Sequence, residues 1–168
     1  MSKDTKLIIL RGNSGSGKST TAKALQKKFG HGTMMISQDM VRREILWVKE
    51  RLGTRAIPLF LDLIKYGKQN CEVVILEGIF NAKCYKDLFE TLKIEFENRI
   101  YAYYFDVPFE ETLIRHSQRH LSQEFGEDKM RSWWKEKDYL DMISEKNITK
   151  ELSLEQIVDL IYFDVINK

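Results

Sequence analysis

Gly12, Gly17, Lys18 and Ser19 make phosphate chemistry the first reading of this chain. The stretch Gly12-Asn13-Ser14-Gly15-Ser16-Gly17-Lys18-Ser19, followed by Thr20, fits the pattern G-x-x-x-x-G-K-[ST] at every fixed position. In such a loop the glycines let backbone N–H groups turn inward, and the start of the following helix adds partial positive charge. Lys18 can then reach the β- and γ-phosphates of ATP, and the Ser19 hydroxyl can ligate Mg²⁺. A glycine-rich turn can satisfy the pattern by chance. The setting argues against that here, because Lys6 to Leu10 reads as a short buried strand and Ser19 to Phe29 as a helix.

Phosphoryl transfer also needs an aligned acceptor and stabilised charge. Asp39, at the end of a second short strand expected to lie adjacent to the first, is the candidate general base for an acceptor hydroxyl; the plainer reading is a helix N-cap. Arg42, on the first turn after it, is placed to clamp the acceptor, whereas Arg43 reads as solvated. Glu77 ends an apolar strand and suits a Mg²⁺ carboxylate or a residue that positions water or acceptor. Arg115 and Arg119 are four apart and share a helix face, the spacing of a pair that stabilises transferred charge. Arg119 is the better catalytic candidate, being nearer a polar, basic stretch read as a lid (about 115–137), and Arg115 is assigned to the nucleotide. His116 and His120 read as surface residues, and Lys129, Arg131, Trp133 and Trp134 as lid, acceptor platform or core.

Strands over 6–10, 33–37, 72–77, 99–105 and 146–149 must position these groups, alternating with helices. One helix is expected from Asp39 to about Gly53, one capped by Thr54, one over 81–97, one from Phe109 with Pro108 in its first turn, and a last one behind the Ser153-x-x-Gln156 capping box. The alternation implies an α/β fold, a mostly parallel sheet of about five strands with helices on both faces. Ligands of such sheets bind beyond the strand C-termini, where the 12–19 loop, Asp39 and Glu77 all fall.

The 168 residues, 43% of them hydrophobic, suit one domain with one well-buried core. Lysines and arginines number 27 against 25 acidic residues, a balance that gives no support to strong non-specific nucleic-acid binding. Cys71 and Cys84 are too few for a disulfide framework, no Cys/His cluster suggests zinc, and neither a signal segment nor a membrane span is evident, so a cytoplasmic protein is expected. The sequon at Asn147-Ile148-Thr149 is read as chance.

With these motifs the sequence resembles the small P-loop kinases, the group containing polynucleotide 5′-kinase, chloramphenicol phosphotransferase and zeta-toxin-like kinases. The resemblance rests on Gly12 to Thr20, on Ile36-Ser37-Gln38-Asp39 followed by Arg42, on Val74 to Glu77, and on Phe105-Asp106-Val107-Pro108 leading to Arg115 and Arg119. It implies ATP with Mg²⁺, a base at Asp39, an acceptor-contacting Arg42 and a lid arginine at Arg119. Two departures are Glu77 where the polynucleotide kinase has an Asp, which leaves the metal geometry open, and the lack of an appended phosphatase domain, which weakens a repair role. No N-K-x-D motif points to a regulatory GTPase. The expected activity is transfer of the γ-phosphate of ATP to a hydroxyl of a small molecule. A polynucleotide 5′-hydroxyl, met by a basic groove of Arg42, Arg43, Arg131 and Lys135, is the less favoured acceptor. A nucleotide-dependent switch without transfer is the alternative of a different class.

Overall fold

A computed structural model describes residues 4–119 and 125–168. Five strands, β1 (Lys6–Gly12), β2 (Met34–Ser37), β3 (Val73–Gly78), β4 (Ile100–Asp106) and β5 (Glu145–Thr149), form one sheet in the order β2-β3-β1-β4-β5. Every pairing is parallel. The alternation of side chains along β1 divides the core in two. Leu7 and Ile9 face one layer with Val74, Leu76, Phe60, Phe80 and Phe89, beneath α2 (Ala56–Asn70) and α3 (Lys86–Phe96). Ile8 and Leu10 face the other with Ile75, Tyr103, Leu25 and Ile161, beneath α1 (Lys18–Phe29) and α6 (Leu154–Ile166). This is the α/β sandwich expected from the alternation, and α4 (Phe109–Ser117) and α5 (Glu127–Trp133) stand at its C-terminal edge. No helix among the described residues is long and apolar enough to cross a membrane.

The register carries the convergence at that edge. Glu77 lies opposite Leu10 of β1 on one side and Ser37 of β2 on the other. The strand carrying Asp39 is thus not next to β1; β3, with Glu77, runs between them.

Three elements differ from the sequence reading. The helix expected from Asp39 to Gly53 is only a wide π-helical turn, Met40–Ile45, closed by Leu46 N–H donating to Val41 C=O at 3.0 Å. The chain then leaves helical geometry at Trp47, whose φ is +51° and whose side chain is 90% exposed. Beyond Val41 only Leu46 and Val48 reach the core, and propensity alone does not carry this segment as a helix. Helix α3 begins five residues later than expected, because the Asn81 carboxamide accepts the N–H groups of Lys83 and Cys84 and holds a turn there. Pro108 caps α4 from outside rather than sitting in its first turn. The Ser153–Gln156 capping box is present on α6.

One buried cation joins the edge together. Arg11, the penultimate residue of β1, is fully buried, with faces of Phe89 and Tyr104 about its guanidinium at 5.6 and 5.7 Å. Its Nη1 donates to Glu145 Oε1 at 2.9 Å, and its Nη2 to the Asp138 carboxylate, the Asp138 carbonyl and the Phe80 carbonyl. Those carboxylates in turn accept backbone N–H groups, of Leu140 at Glu145 and of Ala82 at Asp138. Removing the guanidinium strands a carboxylate that is 1% exposed. Arg11→Met is expected to lower unfolding free energy by about 3–5 kcal/mol in urea titrations, and adding Glu145→Met should restore part of the loss, since the pair removed together leaves no unpaired buried charge.

Candidate active site

The loop between β1 and α1 owes its path to its glycines. Gly15 has φ +77°, and a Cβ there would stand 2.8 Å from the Thr112 carbonyl of α4. Gly12, at φ +148°, would collide with Phe105 Cβ at 2.9 Å. The loop is therefore pressed against β4 and α4 as only glycine permits. Asn13 is buried and fastens it on a third side: its Nδ2 donates to the Lys135 carbonyl at 2.7 Å, and its Oδ1 accepts Lys135 N–H at 2.9 Å. The Asn13 side chain is thus committed to the segment after α5, and only its backbone faces the loop's interior business: its carbonyl accepts Lys18 Nζ at 2.8 Å.

Lys18 is buried, and burial lowers its pKa from 10.5 to about 8, against the opposing pull of the Glu77 and Asp39 carboxylates. Glu77, 5% exposed, accepts the Ser19 hydroxyl at 3.1 Å. A hydroxyl and a buried carboxylate in contact are hard oxygen donors of the kind Mg²⁺ takes, and two protein donors suffice for an ion that keeps waters and phosphate oxygens in its shell. The residues fit the metal. Ser16, its hydroxyl 3.5 Å from Lys18 Nζ, offers its carbonyl to Arg115 Nη1 at 2.9 Å, so Arg115 braces the loop from α4 while Glu111 holds its Nε at 3.1 Å.

Arg119 lies beyond the end of α4, so the shared helix face expected for Arg115 and Arg119 is lost at Ser117. Both nonetheless line one cavity of about 500 Å³ with Gly15 to Thr20 and, opposite, Leu152, Leu154 and Ile157. His116 is not a surface residue: it is 4% exposed, stacked on Phe125 at 4.6 Å, with Nε2 2.8 Å from the Phe125 carbonyl. His120 lies outside the described residues.

Asp39 makes no capping bond. Its carboxylate is paired instead with Arg43 at 3.5 Å and Arg42 at 3.8 Å, and it is near enough to Lys18 for its charge to favour the ammonium. Arg42 and Arg43 belong to the wall of a second cavity, of about 580 Å³, whose other sides come from Glu50, Asn81, Lys129 and Trp133. Arg43 is exposed, as expected, but has partners: beside its pairing with Asp39, its guanidinium lies 5.5 Å from the centre of the Trp133 ring. The tryptophans part company, Trp133 toward this cavity and Trp134 edge-on to Phe109 at 5.2 Å. Arg131 lies over Phe109 at 4.3 Å and pairs with Glu127, outside the lining that holds Arg42, Arg43 and Lys135.

No protein-family model and no curated protein sequence matches the chain. Solved structures do. The chain is similar to the APS kinase of Mycobacterium tuberculosis solved with AMPPNP and APS (16% identity over 99% of both chains, TM-score 0.66). It is similar also to a gluconokinase from Sinorhizobium meliloti (15% identity, 98% and 94% covered, 0.65) and to a shikimate kinase from Acinetobacter baumannii (19%, 97% and 94%, 0.63). The fold is that of the P-loop kinases. At these identities the likeness is one of architecture, and it covers nearly the whole chain.

Two residues central to this P-loop site carry no sequence motif. Arg11 sits inside an apolar strand run, and Glu50, the carboxylate in the wall of the second cavity, lies in the segment read as helix. A charged residue within an otherwise buried strand was the one available signal for Arg11.

The depressed Lys18 pKa gives a signed expectation. The buried ammonium is a cost to folding that is fully present below about pH 8 and relieved as pH rises toward 10.5. A phosphate beside it restores its affinity for the proton, so binding of MgADP above pH 8 should take up a proton through Lys18. Calorimetry at pH 8.5 in buffers of different ionisation enthalpy should therefore report proton uptake that vanishes at pH 6.5 and is absent in Lys18→Met; buffer-independent heats at pH 8.5 would contradict it.

Proposed function

We propose that the protein is an ATP-dependent kinase that transfers the γ-phosphate to a hydroxyl of a small molecule. The observation that carries this reading is the position of Asp39, its carboxylate paired with two arginines of one cavity and its charge acting on the lysine of the other. The cavity of Gly15 to Thr20 is the donor site and the cavity of Arg42, Arg43 and Trp133 the acceptor site.

In the donor site the loop N–H groups and the start of α1 receive the phosphates, Lys18 spans β and γ, and the base rests on Leu152, Leu154 and Ile157. Ser19 and Glu77 hold Mg²⁺, which when bound neutralises phosphate charge. Phosphates entering the loop compete with the Asn13 carbonyl for Lys18, so the ammonium needs only to swing from one oxygen to another. Asp39 accepts the proton of the attacking hydroxyl, helped toward the right rotamer by Arg42 and Arg43. Arg115, already on the Ser16 carbonyl, holds the nucleotide, and Arg119 faces the charge that spreads over the transferred group. The whole described chain acts as one catalytic domain, with the helix α5 region as its cover.

Label from γ-³²P-ATP should move to one member of a panel of hydroxylated metabolites and antibiotics. Lys18→Ala should abolish transfer, and Asp39→Asn should lower turnover by about 10²–10⁴ while MgAMPPNP still binds. Full turnover in Asp39→Asn removes it as the base; nucleotide binding with no transfer to any acceptor turns the reading to a switch protein.

A further inference from the structure

The acceptor-side cavity has a composition unlike the rest of the molecule. The chain as a whole is nearly balanced, at +2. This one cavity is lined by Arg42, Arg43, Lys49, Lys129 and Lys135 against a single carboxylate, Glu50. Arg42 and Arg43 share the one nearby carboxylate of Asp39, at 3.8 and 3.5 Å. Lys49, Lys129 and Lys135 form no ion pair among the described residues. The Glu50 carboxylate does not offset them freely either, because its Oε1 already accepts Asn81 N–H at 3.3 Å and lies 3.5 Å from Gln38 Nε2. The Nε of Arg42 is buried without a hydrogen-bond partner among the described residues. A wall of that charge repels itself unless an anion enters, and an enclosed anion is worth more to it than one in open water.

The second property is an aromatic platform. Trp133, at 36% exposure, keeps part of its indole open, with Phe125 against it at 5.1 Å and the planar guanidinium of Arg43 at 5.5 Å. Both rings line the same cavity as the cations. Phe125 is itself backed by the buried His116, so the platform is held from beneath. A partly open indole of this kind takes a planar ring, and at about 580 Å³ the cavity takes one small molecule.

Resting on the kinase reading, we infer that the acceptor is a small hydroxylated compound that carries both a planar ring and a phosphate-type anion, the anion held by the Arg42, Arg43 and Lys129 side and the ring by Trp133. This places the enzyme downstream of a reaction class that has already phosphorylated or otherwise esterified the acceptor with an anion, so that it adds a second phosphate at a free hydroxyl. The transfer balances without a further reactant: the γ-phosphorus–oxygen bond of ATP breaks, the hydroxyl oxygen bonds to phosphorus, Asp39 takes the hydroxyl proton, and ADP leaves.

Four probes separate the two properties: uridine 5′-monophosphate (ring and phosphate), uridine (ring), ribose 5-phosphate (phosphate) and ribose (neither). Each is titrated into full-length protein presaturated with MgAMPPNP, following heat and tryptophan fluorescence. Uridine 5′-monophosphate should bind about tenfold or more tighter than either uridine or ribose 5-phosphate, a charge-assisted contact and a stacked ring each being worth that much. Lys129→Gln should erase most of the phosphate advantage and leave uridine unchanged; Arg43→Ala should erase most of the phosphate advantage and, its guanidinium lying beside the Trp133 ring, weaken uridine as well; Trp133→Leu should erase the ring advantage and leave ribose 5-phosphate unchanged. Lys129 is exposed, so Lys129→Gln keeps the test valid if Arg43→Ala fails to fold. Affinities of the four probes within about twofold of one another, or a phosphate advantage that survives both cation variants, would overturn the inference. Tight, steeply salt-dependent binding of a 5′-hydroxyl oligonucleotide with none of the mononucleotide would overturn it in favour of nucleic acid. The AMPPNP isotherm is recorded first: its absence overturns the kinase reading, whereas a flat comparison with AMPPNP bound overturns only the acceptor class.

Discussion

Arg11 is the interaction on which the site's geometry depends. A guanidinium with no access to solvent has to spend all its donors inside the protein, and here they reach three separate segments: the chain after β3 at Phe80, the loop at Asp138 and the start of β5 at Glu145. Each of these segments also sends an apolar side chain into the core, Phe80 from the first and Leu140 and Ile143 from the stretch between Asp138 and Glu145. The fork geometry of arginine, unlike a point charge, demands that its partners stand in one plane at set angles, so the three are held relative to one another and to the next residue, Gly12. The aromatic faces of Phe89 and Tyr104 exclude water from the cluster and make each of its bonds harder to break.

From that anchor the two walls of the candidate site follow. The segment after α5 descends to Asp138 and on the way offers the Lys135 backbone to Asn13, which ties the glycine loop to the wall of the second cavity by an amide-to-backbone pair. On the opposite side Gly78 lets Gln38 approach so closely that a Cβ would stand 2.4 Å from Gln38 Cβ, and the Gln38 carboxamide then accepts Phe80 N–H at 3.0 Å. Asp39 is the residue that follows. Its place is thus decided by a buried glutamine, a glycine without room for a side chain and the same Phe80 whose carbonyl Arg11 holds. The catalytic candidates are few, and the residues that hold them still are mostly elsewhere in the chain.

Charge is distributed in the same spirit. Burial lowers the Lys18 pKa to about 8, the Glu77 and Asp39 carboxylates oppose that fall, and the ammonium donates to the Asn13 carbonyl. Glu77 serves both as counter-charge to that lysine and as partner to the Ser19 hydroxyl. Asp39, itself exposed, is held by two arginines.

Much of this was legible in the residues. The phosphate loop has a spacing that few other structures need, the apolar runs of β1 and β3 read as strands buried on both faces, and the capping box marks the start of α6. These are local signals: each depends on residues within a turn or a strand of one another, and the chain carries them wherever it goes. What the sequence could not decide were the meetings between distant segments. That the Asp39 strand lies beyond β3 rather than beside β1, that the expected helix after Asp39 ends in a π-helical turn, that His116 is buried and that Arg43 rather than Arg131 meets the tryptophan platform are all set by packing across the sheet edge. Propensity weighs a few tenths of a kcal/mol per residue, whereas a buried arginine or an interlocked ring is worth several times that, so where the two conflict the tertiary contact prevails. The sequence by itself determined that the chain would form a parallel sheet with a phosphate loop at its edge; the tertiary structure alone decided which side chains face one another across it, because only folding brings charges more than a hundred residues apart into contact.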